Sequence, residues 1–512
     1  MKKILSMFLM SLAVYAGAQN SYDVMKLADS DIAGTARFVG MGGAMSALGA
    51  DISVAGTNPA GIALYRSNDF VFSAGLNTVD EKSNFMGTSI KNSKNSFDIN
   101  NIGMVISSKW DSDDVKFVNL AFNYRHRNNF DATREIAGSL TDRYGNFFSQ
   151  QKQLHQLYEN GGDYAEYYGY DDYTSFSYPW LGLLTSTSGL VDEYGNLCYV
   201  PGAGALYPTS MYYYSEEKGG VDEVDFTMSC NVSDRFYLGL TFGASNVDYT
   251  RYSEYTEHCS QFDYYTLQNS YNISGNGFNM KLGAIVRPFE YSPFRVGLSL
   301  HTPTWYSLID CSSATMIGTG DYEDIVWDTR GNYAYGDDLL VEYNVTTPWR
   351  LNVSAAYTFG KSVAIDAEYE LVDYSTASIE FADGKDIDEL NSDIESNMRA
   401  QHIFRVGALF NLADDLSLRC GYNHITAPFE ENAGKSRLLY SDTSTDYMNK
   451  LESDIYTLGF GYSGDGFYFD MAYKLTSQRS HLYTYYDSEC YNPYAEVKSN
   501  RHSFVATMGF RF

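Results

Sequence analysis

The sequence predicts an all-β protein: a 14-stranded antiparallel transmembrane β-barrel with an N-terminal hatch, or plug, inside its lumen. Three observations predict it. Apolar and polar residues alternate with period 2 from about Asn68 onward; the alternating stretches come in pairs joined by very short turns, with long polar loops between pairs; and the residues before them are small and do not alternate. The expected organisation is a signal peptide over 1–18, a hatch over 19–66 and a barrel over 67–512.

At the N-terminus, Lys2 and Lys3 precede an apolar stretch from Ile4 to Ala16, and Ala16-Gly17-Ala18 supplies a small-x-small cleavage site. That is the layout of a secretory signal peptide, and the mature chain is expected to begin at Gln19. The apolar stretch is shorter than the ~18 residues a spanning helix needs, and no longer apolar run follows. Mean hydropathy is −0.32. An exported chain without spanning helices is either a soluble secreted protein or a barrel, and 46 Tyr, 30 Phe and 43 Gly beside only 10 Pro favour the barrel.

The alternation is cleanest in two places. Phe236, Leu238, Leu240, Phe242 and Ala244 share one face, against Tyr237, Gly239, Thr241, Gly243 and Ser245; Phe467, Phe469, Met471, Tyr473 and Leu475 oppose Tyr468, Asp470, Ala472, Lys474 and Thr476. Strands are expected near 70–79, 97–109, 115–127, 222–232, 235–250, 269–288, 293–303, 346–359, 362–374, 400–412, 415–425, 453–463, 466–478 and 499–512. Short turns near Asp111 to Asp114, Ser233-Asp234, Glu290 to Pro293, Gly360-Lys361, Ala413-Asp414 and Gly464-Asp465 read as periplasmic. An even strand count returns the chain to the side it started from, as bacterial barrels require. The largest outer loop is expected over about 128–221, followed by 304–345. A soluble β-sandwich also has amphipathic strands, but it gives no reason for short and long connections to alternate.

The last strand carries Phe504, Ala506, Met508, Phe510 and Phe512 on one face and stops at an aromatic. It resembles the signal by which barrel assembly machinery recognises outer-membrane proteins, with Phe504, Phe510 and Phe512 as its residues.

Charge narrows the function classes. The chain carries −28, and −30 without Lys2 and Lys3 (34 basic residues against 64 acidic), which argues against nucleic acid. Several charges fall on inward faces: Lys281, Arg295, Arg350, Asp366, Glu368, Arg405 and Arg419, together with Arg287, Glu370, Asp470, Lys474 and Arg511. Facing lipid at mid-depth, each Lys or Arg would cost about 2–4 kcal/mol; inside a lumen they can pair or anchor the hatch. Among eight histidines and six cysteines there is no Gly-x-Ser-x-Gly, His-Glu-x-x-His or Cys-x-x-Cys, so neither catalysis nor a cofactor or metal is expected. His126, His301, His424 and His502 read as wet residues near strand ends. Cys198, Cys259, Cys311 and Cys490 are expected in four outer loops, with loop-to-loop disulfides and three pairings open. An acidic run, Asp321 to Asp324, reads as a solvated face rather than a calcium site.

Inward glycines recur at Gly239, Gly283, Gly297, Gly407, Gly421, Gly459 and Gly509, either to leave room for a packed segment or to relieve strand twist. A barrel of this size is roughly 25–30 Å across and would be an open pore unless filled. The small-residue stretch holds no phosphate-loop pattern. Gly34-Thr-Ala-Arg-Phe-Val-Gly40-Met-Gly42-Gly43-Ala-Met-Ser-Ala-Leu-Gly-Ala-Asp51, followed by Asn58-Pro59-Ala60-Gly61, resembles the hatch of the FadL/TodX/OmpP1 family of outer-membrane transporters of hydrophobic compounds. Thr347-Pro-Trp-Arg350, Glu368-Tyr-Glu370 and Asp373-Tyr374 extend the resemblance into the strands. It implies passive uptake of a hydrophobic small molecule, a fatty acid or another apolar or aromatic compound, across the outer membrane. Ligand would be captured by outer loops, the hatch would shift, and ligand would leave sideways beside the third strand, here 115–127 with Asn119, Asn123 and Arg125 inward. The tyrosines Tyr164, Tyr167, Tyr168, Tyr170 and Tyr173 of the long second loop leave the substrate open. The alternatives are a surface receptor for haem or glycan on a plugged barrel, and an open porin. The expected partners are outer-membrane lipid and lipopolysaccharide, the ligand and the assembly machinery, around a monomer.

Overall fold

The structure, a computed structural model, describes residues 21–110, 112, 114–140, 209–258, 264–319, 324–328, 339–435, 444–485 and 492–512. Its strands are Asp69–Phe85 (β1), Thr88–Lys109 (β2), Val115–Asn129 (β3), Ala132–Ser139 (β4), Ser210–Val232 (β5), Phe236–His258 (β6), Tyr264–Val286 (β7), Arg295–His301 (β8), Trp305–Thr319 (β9), Asp324–Asp328 (β10), Leu339–Thr346 (β11), Arg350–Phe359 (β12), Val363–Asp373 (β13), Ser378–Phe381 (β14), Ala400–Asn411 (β15), Leu416–Ile425 (β16), Tyr447–Ser463 (β17), Phe467–Tyr483 (β18) and Tyr494–Arg511 (β19). Every pairing is antiparallel, and β1 bonds to both β2 and β19, so the sheet closes on itself. Because β4, β9, β11 and β14 prolong their neighbours and β10 is the arm of a small hairpin, fourteen staves circle the barrel.

The outward faces explain why the sheet is stable without a second layer. On β6, Phe236, Leu238, Leu240, Phe242 and Ala244 point outward, flanked by Val224, Phe226 and Met228 on β5 and by Phe278, Met280 and Leu282 on β7. This apolar belt is about nine residues tall, the length a tilted strand needs to cross hydrocarbon. Exposed Trp110, Phe359, Phe510 and Phe512 ring its lower rim, as an aromatic girdle does. The turns there are tight: Ser233 and Asp234 both take positive φ, the hairpin geometry that matches strand twist.

Above the belt the strands continue. On β6 the outward residues become Asn246, Asp248, Thr250 and Tyr252 while the ladder to β5 and β7 runs unbroken to His258. The expected boundaries therefore fall short in the outer half. The loop expected at 80–96 is a strand hairpin turning at Met86 and Gly87, both with positive φ. The ends of the loop expected over 128–221 are β4 and the outer half of β5, and β9, β10 and β11 occupy most of what was expected as loop 304–345. Cys311 lies in β9 rather than in a loop, while Cys198, Cys259 and Cys490, the second-loop tyrosines and residues 321–323 lie outside the described residues.

The core sits inside the barrel, around the N-terminal segment. Helix α1 (Ser21–Ala28) buries Tyr22, Val24, Met25 and Leu27 against Tyr249, Tyr271, Tyr306 and Tyr343 of the outer wall, below helix α3 (Asp388–Asn397). Lower down, helix α2 (Ala36–Gly40) and two 3₁₀ turns, Ile52–Gly56 and Pro59–Leu64, gather Phe38, Met41, Met45, Ile52 and Ile62 against Val71, Val105 and Ala121.

Candidate functional site: an occluded lumen

Residues 34–65 dock on the inward wall through backbone and small side chains. A Cβ on Gly421 would lie 2.5 Å from the Gly42 nitrogen, one on Gly407 2.3 Å from the Met41 carbonyl oxygen, and one on Gly459 3.0 Å from the Gly40 Cα. Across the barrel, Gly239 and Gly283 make the same room for Pro59 and Asn58. These glycines serve close approach. Gly509 does not: its missing side chain is replaced by the Tyr468 ring.

Hydrogen bonds fix the register of this contact. The Thr507 hydroxyl accepts from the Ala36 amide (2.7 Å) and the Thr457 hydroxyl donates to the Gly40 carbonyl (3.0 Å). Thr35 caps α2 by accepting from the Phe38 amide and donates to Asp51, whose carboxylate caps the next turn. Asn58 is extended before Pro59; its side-chain oxygen accepts from the Ala60 amide and its nitrogen donates to the Ser46 carbonyl. Gly61 closes against Gly49, and Asn119 donates to the Ile62 carbonyl (2.7 Å). Gly43, with positive φ, turns the chain beneath Phe38.

The inward charges divide into two groups. Some meet this segment: Asp366 accepts from the Ala47 and Leu48 amides (3.1 and 2.8 Å), Glu368 from the Ser46 amide (2.6 Å), and Arg295 donates to the Leu48 carbonyl (2.7 Å). Others pair within the wall: Lys281 with Glu223 and Asp225, Arg405 with Glu370, and Arg419 with Asp470, at 2.5–2.7 Å. Arg350 pairs within the wall with Glu370 (2.8 Å) and also donates to the Ala28 carbonyl, in the stretch before this segment. Paired in this way they avoid the penalty of an isolated buried charge. Arg287 and Arg511 sit instead at the lower rim. His301 is buried and donates to the Thr57 carbonyl (2.7 Å), so it is a contact of the N-terminal segment and not a wet strand end.

Residues 21–33 are fastened differently. Lys26 pairs with Glu217 (2.9 Å), Asp29 with Lys450 (2.6 Å) and Asp31 with Lys474 (2.5 Å). Arg127 and Arg350 donate to the carbonyls of Leu27, Ala28 and Asp29, cations placed on the negative end of α1. Of these partners Arg350, Lys474 and Arg127, which shares the inward face of 115–127 with Arg125, show an inward strand signal in the sequence.

Cavities flank this strap. The larger, about 1180 Å³, runs from Met25, Phe130 and Met448 to Asp31, Asn128, Asn129 and Arg501. A second, about 860 Å³, lies on the other side among Arg125, Lys281, His301, Arg350 and Glu370. A third, about 340 Å³, shares Asp31, Asn128, Asn129 and Arg501 with the first and reaches Asn77, Asp98 and His126 in the wall.

At that point the backbone ladder of the wall is interrupted. β2 pairs with β3 only from Asn101–Arg125 down to Lys109–Phe117, although β1–β2 continues up to Phe85–Thr88 and β3–β5 up to Asn129–Gly220. Register shifts on both sides, leaving Asn100 and Arg127 out of the ladders, mark the same level. Side chains bridge the split: Asn129 donates to Asp98 (3.0 Å) and Lys94 pairs with Glu216 (3.1 Å).

No family model and no curated protein matches the sequence. Solved structures do share the fold. A FadL homologue of Pseudomonas aeruginosa superposes with a TM-score of 0.54 at 12% identity, over 94% of this chain and 99% of that one. The Pseudomonas putida toluene transporter TodX gives 0.50 at 12% over 95% and 100%, and the Ralstonia pickettii toluene transporter TbuX gives 0.50 at 13% over 94% and 99%.

Proposed function

We propose, from a fold shared with transporters of hydrophobic compounds, that this chain is an outer-membrane channel for passive uptake of hydrophobic small molecules, plugged by residues 19–66 as a hatch. The apolar belt supports the membrane reading, and the arrangement of Phe504, Phe510 and Phe512 on its last stave suits delivery by the barrel assembly machinery after signal-peptide cleavage. Lipid and lipopolysaccharide surround it.

The observation that carries the transport reading is the run of cavities from the vestibule beside α1 to the interrupted β2–β3 ladder. The vestibule mixes adaptable apolar surface (Met25, Phe130, Met448, Ile455) with charges held in pairs, so a ligand with an apolar body meets little unpaired charge there. Ligand enters from outside, passes the strap at Asp31 and leaves through the wall. A water-filled pore through the centre has no support, because residues 34–65 dock on both sides of the lower lumen. The test is uptake of a radiolabelled monoaromatic and a radiolabelled long-chain fatty acid by cells lacking other such channels, alongside bilayer conductance of the purified barrel. Ligand uptake with negligible steady ion current is expected; steady current identifies an open porin, and tight ligand binding without uptake identifies a surface receptor.

A further inference from the structure

His126 stands in the split between β2 and β3. Its Nδ1 lies 2.8 Å from Asp222 on β5, on the outer side of the wall, and its Nε2 lies 3.8 Å from Asp98 on β2, beside the inner pocket. Nε2 is buried and finds no hydrogen-bond partner among the described residues. Gly220 clears the space for the ring, since a Cβ there would sit 2.6 Å from it. A polar ring on β3 has thus been set where backbone bonds to β2 are missing, with the carboxylate of Asp98 across the split and that of its ladder partner Asp222 on the other side.

The neighbours from each packed element define what the ring feels. Tyr124, on the same strand, donates to Asp222; Asn129 and, from β1, Asn77 donate to Asp98; Arg501 on β19 donates to the Asn129 carbonyl; Asp131 acts on the ring from the turn after β3; Lys474 on β18 is held by Asp31. The nearest ionised groups are acidic, and the nearby cations are engaged elsewhere. An imidazolium donates to Asp222 and attracts Asp98, tying β2 to β5. A neutral ring with its proton on Nδ1 turns a lone pair toward the Asp98 carboxylate, and that tie becomes repulsive.

We propose that His126 is the bolt of a side port between β2 and β3: protonated, it holds the upper halves of the two strands together; neutral, it lets them part. The identity of what passes rests on the uptake reading above, but the bolt is a statement about the wall alone. It is read by placing spin-labelled amino acids at Asn95 on β2 and Thr133 on β4 and comparing their separation at about pH 5.5 and about pH 8, either side of the range in which imidazole titrates. A single short separation at the lower pH and an added longer population at the higher pH are expected. His126→Arg should keep the short separation at both, and His126→Gln should show the same mixture at both. An unchanged wild-type distribution, or a pH response that survives in His126→Gln, overturns the proposal. A pH response in a barrel that takes up no ligand leaves the bolt standing and removes the transport reading; uptake without a pH response does the reverse.

Discussion

The lower and upper parts of the N-terminal segment lie in the same lumen and are held by opposite means. Residues 34–65 lie against glycines so closely that backbone touches backbone, with wall hydroxyls and the carboxylates of Asp366 and Glu368 reading their amides. Residues 21–33 bury the apolar side of α1 but join the wall through three ion pairs and two arginines on its terminal carbonyls. Close-packed backbone cannot give way by small steps, because interiors are bistable rather than compressible. Charged partners can be exchanged for others, including a ligand's. On the transport reading proposed above, the lower part is then the fixed stopper and the strap the moving element.

Removing the stopper should have the largest effect. Deletion of 34–61 should leave a barrel that still closes, since its outward faces are satisfied by lipid, and should turn negligible conductance into a steady ion current with new sensitivity to small antibiotics. A deletion variant that stays closed refutes the division. Gly421→Leu should act more gently in the same direction: it drives a side chain into the Gly42 backbone, an overpacking of at least ~1–3 kcal/mol, and should give intermittent current.

The strap is probed next. Lys474→Met leaves the partly exposed Asp31 without its ion-pair partner, a loss below the ~3–5 kcal/mol of a fully buried pair. It should raise the labelling rate of a cysteine placed at Met25 by an outside reagent while conductance stays low, and Asp31→Asn in the same chain should recover much of the protection. Equal labelling in all three chains would mean that the ion pair does not hold the strap. Smallest for transport is deletion of Phe512, whose backbone bonds Asn68 and whose exposed ring ends the lower girdle. The amount of folded, heat-modifiable barrel should fall, with uptake per folded barrel unchanged.

What the sequence revealed follows from which interactions are local. Fourteen staves are legible because alternation reports a sheet with an apolar face on one side, and where both sides turn polar, as at Asn246, Asp248 and Thr250 or along Ser89 to Asn95, the signal vanishes although the ladder continues. The glycines and Asn58-Pro59 mark a compact, closely approached segment, yet nothing local says that Ala36 bonds Thr507 or Asp31 pairs with Lys474. His126 resembles any polar residue near a strand end, and its position in the split depends on register shifts in two ladders that no short window contains.

The division of labour is tested most directly by tethering each part in turn. Cysteines at Ala55 and Thr241, whose side-chain hydroxyl donates to the Ala55 carbonyl, fix the lower part when joined by a short thiol reagent; cysteines at Lys26 and Glu217 fix the strap in the same way. A hatch that shifted as one body would require both tethers to stop ligand uptake. The present account predicts that the strap tether abolishes uptake and the Ala55–Thr241 tether leaves it near the uncrosslinked level; loss of uptake with the lower tether, or its persistence with the strap tether, would contradict it.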